Sequence, residues 1–216
     1  MIKKNLKKRI FTSLILLIFT IAAFYSNFAI IYMMVILGVM SIIEFLNITN
    51  KIFKNIFYKY LTNFFFILYI SLFLIIFFYF SQFFQLKILL FSFLFTCIAS
   101  DIGGYVVGKF FGGPKLTKLS PKKTISGSIG SLIFASSVFV LLIYYINGTV
   151  SFKFVITGFI ISLVCQIGDL FFSFLKRKAK LKDTGNLFPG HGGVLDRLDG
   201  ILLGIPFGLI VTLLLF

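Results

Sequence analysis

Acid is what this chain lacks most. Six Asp and Glu stand against 21 Lys and Arg in 216 residues, giving a formal net charge of +15, with one histidine and no tryptophan. Cysteine is nearly as scarce. Cys97 and Cys165 both lie in apolar runs, so they read as small packing residues rather than a disulfide or metal pair, and they say little about redox compartment. Charged residues make up only 12% of the chain and hydrophobic ones 59%, with a mean hydropathy of +1.08. Those values exclude an ordinary soluble domain and point to a polytopic membrane protein. No extramembrane stretch is long enough for a second folded domain. The missing tryptophan, set beside 32 phenylalanines, reads as base-composition bias and carries no functional message.

The N-terminus has the outward form of a secretory leader, with Lys3, Lys4, Lys7, Lys8 and Arg9 before an apolar run. No clear small-residue cleavage site follows, and a second apolar run begins directly after Ser26-Asn27. The first run is therefore expected to stay as a helix. A spanning helix needs roughly 20 apolar residues, and the chain offers seven candidates, at about 10–26, 28–46, 61–80, 86–111, 127–146, 152–175 and 194–216. The expected fold is an all-α polytopic membrane protein of about seven transmembrane helices. Residues 1–85 form an N-terminal group of about three spans. Residues 86–216 form a C-terminal catalytic region with two basic loops, 112–126 and 176–193.

The connections alternate in character. Those near 26–27, 81–85 and 147–151 are short and almost uncharged, whereas 47–60, 112–126 and 176–193 are rich in lysine. Only Lys87 and Lys153 fall on the poorer side, so the positive-inside rule puts the N-terminus and the basic loops in the cytoplasm, at the inner membrane. This sidedness and attraction to anionic lipid account for the net charge without a nucleic-acid partner.

The acids follow the same sidedness. Asp101 and Asp169 stand near the inner ends of the fourth and sixth spans, and Asp196 and Asp199 open the seventh. Ionisable groups at membrane depth are costly unless paired, solvated or bound to a metal, so four carboxylates beneath lysine-rich loops outline an anion-and-metal site. Glu44 closes the second span and reads as an interfacial residue satisfied by water.

Residues four apart share a helix face. Asp196, Gly200, Gly204 and Gly208 make one small-residue stripe and Ser100, Gly104, Gly108 and Gly112 another, spacing that lets helices approach closely in lipid. Ser162, Gln166, Asp169 and Ser173 trace a polar stripe ending at Lys176, suited to a wet cavity or a metal site. Asp101, Tyr105 and Lys109 form a second polar line, for which an internal Asp–Lys pair is an equally good reading.

The loop residues Ser120, Lys122, Lys123 and Thr124, beside Pro121, offer two cations and two hydroxyls suited to phosphate. The second loop adds Lys176, Arg177, Lys178, Lys180 and Lys182, then Pro189-Gly190-His191-Gly192-Gly193, whose glycines let backbone N–H groups approach a phosphate. Asp169 and Asp196, with Asp199, supply hard oxygen ligands for Mg²⁺, which binds through one or two carboxylates plus substrate phosphates. Basic loops over an acidic pair suit a triphosphate nucleotide better than a lone ion. His191 is expected to position or contact phosphate, with acid–base work as the alternative.

The run Ser173-x-Leu175-Lys176-Arg177-x4-Lys182-Asp183-x-Gly185-x2-Phe188-Pro189-x-His191-Gly192-Gly193-x2-Asp196-Arg197-x-Asp199 resembles the signature of phosphatidate cytidylyltransferases. Ser100-Asp101 with Gly104-Tyr105, and Ser120-Pro121-Lys122-Lys123-Thr124, resemble further family segments. Together these cover roughly the C-terminal half. The resemblance implies condensation of CTP with phosphatidic acid to CDP-diacylglycerol and pyrophosphate on the cytoplasmic face. It associates the positions of Asp169 and Asp196 with divalent metal, and it implies a monovalent cation such as K⁺ beside Mg²⁺ and a homodimer. The catalytic set expected here is Asp169, Asp196, Lys176 and Arg197.

Two departures stand out. The family follows its SPKKT segment with Trp-Glu-Gly, where this chain has Ile125-Ser126-Gly127, and the chain is shorter than typical bacterial members. The nearest alternative is a CTP-dependent membrane lipid kinase or cytidylyltransferase acting on another lipid acceptor. A cation transporter is the remote one, disfavoured because the acids cluster on one side and form no path across.

Overall fold

The structure is a computed structural model and describes residues 2–117, 119–185 and 192–215. Seven α-helices follow one another: α1 (Ile2–Tyr25), α2 (Asn27–Ile52), α3 (Ile56–Ser81), α4 (Phe84–Phe111), α5 (Ile125–Asn147), α6 (Phe152–Lys178) and α7 (Leu195–Leu215). Each predicted span falls on one helix, and α2 through α7 are long and apolar enough to cross a membrane. The protein is a polytopic, all-helical membrane protein. Among the described residues the extended backbone pairing in the loops is a single antiparallel bridge between Lys115 and Thr124.

Helix starts are set by polar residues that accept the free N–H groups of the first turn. Ser26 accepts from Ala29 N at 3.4 Å and Asn55 from Phe57 N at 2.9 Å. Thr124 accepts from Gly127 N at 3.1 Å. The Asn55 cap starts α3 five residues before the expected span, because a helix runs on past the apolar slab wherever its termini can be satisfied. Likewise α2 continues to Ile52, so Glu44 lies two turns inside the helix rather than at its end. Gly148 ends α5 in the left-handed conformation, φ 68°, with its N–H on Tyr144 O at 2.8 Å.

The helices pack into two compact units, residues 1–87 with 175–198, and residues 88–174 with 199–216. In the first unit α2 packs on α1 and on α3. Phe45 and Phe66 stack with ring centroids 3.7 Å apart, and the buried Thr49 hydroxyl donates to Asn63 Oδ1 at 2.7 Å. Near one end of the same unit, the buried Lys87 ammonium donates to Asn27 Oδ1 at 2.9 Å, and the Asn27 amide donates to Gln82 at 3.1 Å.

In the second unit α4 and α5 meet along glycine. A Cβ on Gly127 would stand 2.7 Å from the Gly104 carbonyl, and one on Gly108 would stand 2.8 Å from Thr124 Oγ1. The predicted stripe therefore works as a seam through Gly104 and Gly108. Gly112 does not join it: it follows the last residue of α4, has φ 62°, and faces open space. On α7, Gly204 sits against the sulfurs of the buried free thiols Cys97 and Cys165, which are 3.0 Å apart, and Gly208 sits against Ile161 and Phe93. Phe93 stacks on Phe139 at 5.7 Å. Large apolar side chains such as Phe64, Phe65 and Ile75 on α3 are exposed, as befits lipid-facing surface.

Candidate active site

In the second unit, the loop between α4 and α5 is tied into a small hairpin. Leu116 N donates to Lys123 O at 2.8 Å, and Ile125 N donates to Pro114 O at 3.0 Å. At its tip Lys123 N donates back to Ser120 O at 3.0 Å, a four-residue turn with Pro121 at the position whose φ proline already has. The turn fixes where Lys123 leaves the backbone, and its ammonium forms an ion pair with Asp169 Oδ2 on α6. Lys122, on the same turn, is exposed. The Thr124 hydroxyl, expected to meet phosphate, is occupied as the α5 cap and by Ser126 at 3.1 Å. Ser126, where the family pattern has glutamate, donates to the Gly112 carbonyl.

The polar stripe of α6 faces protein along its length. Ser162 pairs with Ser100 at 2.8 Å, the Gln166 side chain exchanges hydrogen bonds with Ser128, and Ser173 donates to Asp169 Oδ1 at 3.3 Å. The expected wet cavity is thus filled by partners from α4 and α5 as far as Gln166. Asp169 remains the part-exposed member, with 26% of its side chain accessible. Next to it Gly168 lacks the Cβ that would lie 2.5 Å from the Asp199 carbonyl, so α7 comes against α6 one residue from Asp169. Asp199 is buried, and its Oδ1 accepts from Gly200 N at 2.9 Å. On α4, Lys109 lies over the Tyr105 ring, 5.7 Å from its centroid.

The first unit holds the end of α6, the basic loop and the start of α7. Lys180 N donates to Arg177 O at 3.0 Å and Leu181 N to Lys176 O at 2.8 Å, the two bonds of a Schellman motif. The residue in its left-handed position is Lys180, φ 57°, where glycine is usual. Arg177 donates to Leu181 O at 3.2 Å, which spends part of an expected phosphate ligand on holding the loop. Lys182 and Arg197 are exposed. His191 lies outside the described residues.

Asp196 is the most heavily engaged predicted residue. Its Oδ1 accepts from Lys176 at 2.6 Å, and its Oδ2 accepts from Thr184 N at 2.8 Å and Gly193 N at 3.0 Å and lies 3.0 Å from Thr184 Oγ1, whose one proton it shares with Glu44. The Gly193 N–H, expected to approach a phosphate, is therefore directed at Asp196. Gly192 takes a left-handed turn, φ 87°, and a Cβ there would come 2.7 Å from Asp196 Oδ2. Both glycines serve a close approach, but to carboxylates of the chain itself.

Glu44 corrects the reading from sequence. It is 5% exposed, and water does not satisfy it. Val194 N donates to Oε1 at 2.9 Å, while Leu195 N at 2.9 Å and Thr184 Oγ1 at 2.6 Å donate to Oε2. A carboxylate at a helix N-terminus meets unpaired N–H groups and the positive end of the dipole. Its only trace in the sequence is that it is the chain's single glutamate, set in an apolar run.

Among the described residues no three His, Cys, Asp or Glu gather closely enough to hold a metal ion by themselves. Mg²⁺ does not require that, since it keeps waters and shares substrate phosphates. Asp169 fits that role, being part-exposed and opposed by a lysine on a surface turn. At Asp196 three donors hold Oδ2, which leaves Oδ1, opposite Lys176, as the oxygen suited to a cation.

Comparison with known proteins places the chain in a family. The chain is 40% identical to the phosphatidate cytidylyltransferase of Mycobacterium leprae (strain TN) over 113 residues, 52% of this chain and 36% of that one. It is 44% identical to that of Helicobacter pylori (strain ATCC 700392 / 26695) over 110 residues, 50% and 40% of the two chains. The figure for Rickettsia bellii (strain RML369-C) is 42% over 125 residues, 52% and 53%. The chain thus spans between about a third and a half of the length of these curated relatives. The model of the cytidylyltransferase family matches residues 2–215, so the match takes in both units and every helix, and the chain belongs to the cytidylyltransferase family.

Proposed function

We propose that the chain carries out, or forms the catalytic part of a protein that carries out, the reaction of CTP with phosphatidic acid to give CDP-diacylglycerol and pyrophosphate. The observation that carries this is that each unit pairs a motif acid with a motif lysine, Asp169 with Lys123 and Asp196 with Lys176. An Asp–Lys pair of this kind splits usefully when a metal-bound polyphosphate arrives, because the carboxylate goes to the cation and the ammonium to a phosphate oxygen. The relatives named above, all phosphatidate cytidylyltransferases, support the choice of substrates. The charge asymmetry of the loops supports a cytoplasmic active face at the inner membrane.

The chemistry asked of the protein is positioning and charge compensation. A phosphatidate oxygen attacks the α-phosphorus of CTP in line, a P–O bond forms, and the bond to the β-phosphate breaks with its electron pair leaving on pyrophosphate. A phosphomonoester has its second pKa at about 6, so the attacking oxygen is already ionised at neutral pH and no general base is needed. Lys123, held on its proline turn, is placed to swing from Asp169 to the nucleotide. Lys176 is held more rigidly, and with the exposed Lys182 and Arg197 of its own unit it offsets the charge that grows on the leaving group, a role for which the exposed Lys122 is suited on the other unit. Each acid, Asp169 in its unit and Asp196 through Oδ1 in the other, is suited to Mg²⁺, which would supply Lewis-acid polarisation of the phosphates.

The test is CDP-diacylglycerol formation from labelled CTP and phosphatidic acid in membranes expressing the chain, with and without Mg²⁺, beside Asp169→Asn and Asp196→Asn. Mg²⁺-dependent product that is lost in the variants is the expected result. Product only with a polyprenol, or with another lipid acceptor, would move the activity to a neighbouring reaction.

A further inference from the structure

We propose that Glu44, in the N-terminal helices and outside the motif, is a positioning residue for Asp196. The inference rests on the functional reading above and deepens it. Three strands of geometry converge on it, all within the first unit. First, Glu44 accepts from both Val194 N and Leu195 N at 2.9 Å, so it anchors the first residues of α7 immediately before Asp196. Second, Thr184 Oγ1 lies 2.6 Å from Glu44 Oε2 and 3.0 Å from Asp196 Oδ2. The one proton of this hydroxyl is shared between the two carboxylates, with Glu44 the nearer acceptor. Third, Gly185 and Gly193 approach Glu44 so closely that a Cβ on either would overlap its carboxylate oxygens.

The arrangement fixes both sides of the basic loop. Residues 184–185 enter against Glu44, residues 193–195 leave against it, and the same two segments donate the three hydrogen bonds that hold Asp196 Oδ2. Immobilising Oδ2 leaves Oδ1 aimed at Lys176. Partners that orient a metal-binding carboxylate act in this way, and their loss typically lowers metal affinity or activity about 10- to 100-fold. A simple helix cap would need only the bonds to Val194 and Leu195; the Thr184 bridge is the feature that carries the effect to Asp196.

The experiment uses the 216-residue chain purified in detergent, as wild type, Glu44→Gln and Thr184→Val. Glutamine keeps the shape but turns an NH₂ toward one of the donors. Valine removes only the bridging hydroxyl and leaves Glu44 on α7, so it tests the proposal even where the glutamine variant fails to fold. Metal-free amide exchange is read at residues 184 and 193–195, and Mn²⁺ binding, as a probe for Mg²⁺, is followed by electron paramagnetic resonance. Turnover is split into kcat and KM for each substrate.

The expected result is faster exchange at those amides, Mn²⁺ binding weakened about 10- to 100-fold, and a fall in kcat with KM for the lipid unchanged. Thr184→Val is expected to weaken Mn²⁺ binding while sparing the Val194 and Leu195 amides. Unchanged Mn²⁺ binding in both variants would overturn the proposal and leave Glu44 a structural cap, as would a wild type that binds no Mn²⁺. Binding and exchange need no lipid. A wild type that passes them but makes no CDP-diacylglycerol would refute the substrate assignment and leave the role of Glu44 standing.

Discussion

Two glycines on this chain separate crowding from backbone strain, and substituting each with alanine tests the account of the basic loop. At Gly193 no left-handed φ is involved, but a Cβ would overlap Thr184 Oγ1 and both oxygens of Glu44. Room is made only by moving both Thr184 Oγ1 and the Glu44 carboxylate, which accepts three hydrogen bonds. Hydrogen bonds to a charged group contribute about 1.5–3 kcal/mol each, so losing two of them costs roughly 3–6 kcal/mol by the same measure. At Gly148 the reverse holds. Nothing lies within 4 Å of the added Cβ, and φ is 68°, so the cost is the left-handed penalty of about 1–2 kcal/mol alone. Thermal unfolding in detergent, followed with a thiol-reactive dye that reports exposure of the buried Cys97 and Cys165, measures both variants. Gly193→Ala should unfold far earlier than Gly148→Ala and lose the proposed cytidylyltransferase activity, while Gly148→Ala keeps it. Equal shifts, or an active Gly193→Ala, would refute the crowded Glu44 arrangement.

Lys180→Gly should stabilise the protein by about 1–2 kcal/mol, because Lys180 holds the left-handed position of a Schellman motif where glycine carries no penalty; a lower unfolding midpoint would contradict it. Lys176→Met should destabilise by about 3–5 kcal/mol, since the side chains of its pair with Asp196 are only 11% and 8% exposed. Adding Asp196→Asn to that variant should recover much of the stability but none of the activity, read by melting and product assay together. Lys123→Met should cost less than about 1 kcal/mol, because its pair with Asp169 is 28% and 26% exposed, yet it should sharply reduce turnover. Gly127→Val should block close approach of α4 and α5 at the Gly104 carbonyl and prevent accumulation of folded protein in the membrane.

Much of the architecture was legible because apolar runs of spanning length leave few alternatives. The small-residue stripe on α4 was read correctly through Gly104 and Gly108, and failed at Gly112, which is past the helix end and serves the turn. Spacing singled out Asp169 and Asp196 as candidates, but it could not say that Lys123 and Lys176 would be their partners, since ion pairing across 46 and 20 positions follows from tertiary packing. Thr124 has a second role with a local reason. A threonine just before an apolar helix caps it, and that competes with any ligand for the same hydroxyl. Glu44 was the residue whose surroundings the sequence reading had most wrong. Its donors come from residues 140 to 151 positions away, and in sequence it has only its isolation to mark it.

The glycine seam between α4 and α5 has a consequence for how this chain can drift. Its lipid-facing surface accepts any sufficiently apolar side chain, and exposed phenylalanines such as Phe64, Phe65, Phe110 and Phe111 stand on it. Gly103, Gly104, Gly127 and Gly130 face atoms of the opposite helix within 3 Å of where a Cβ would stand, so substitution there meets a wall rather than a solvent. Mutational pressure toward large residues is therefore absorbed on the outside and stopped at the seam. A saturation library scored for folded protein should divide α4 and α5 lengthwise, with one permissive side and one line of seam glycines that tolerates little beyond glycine.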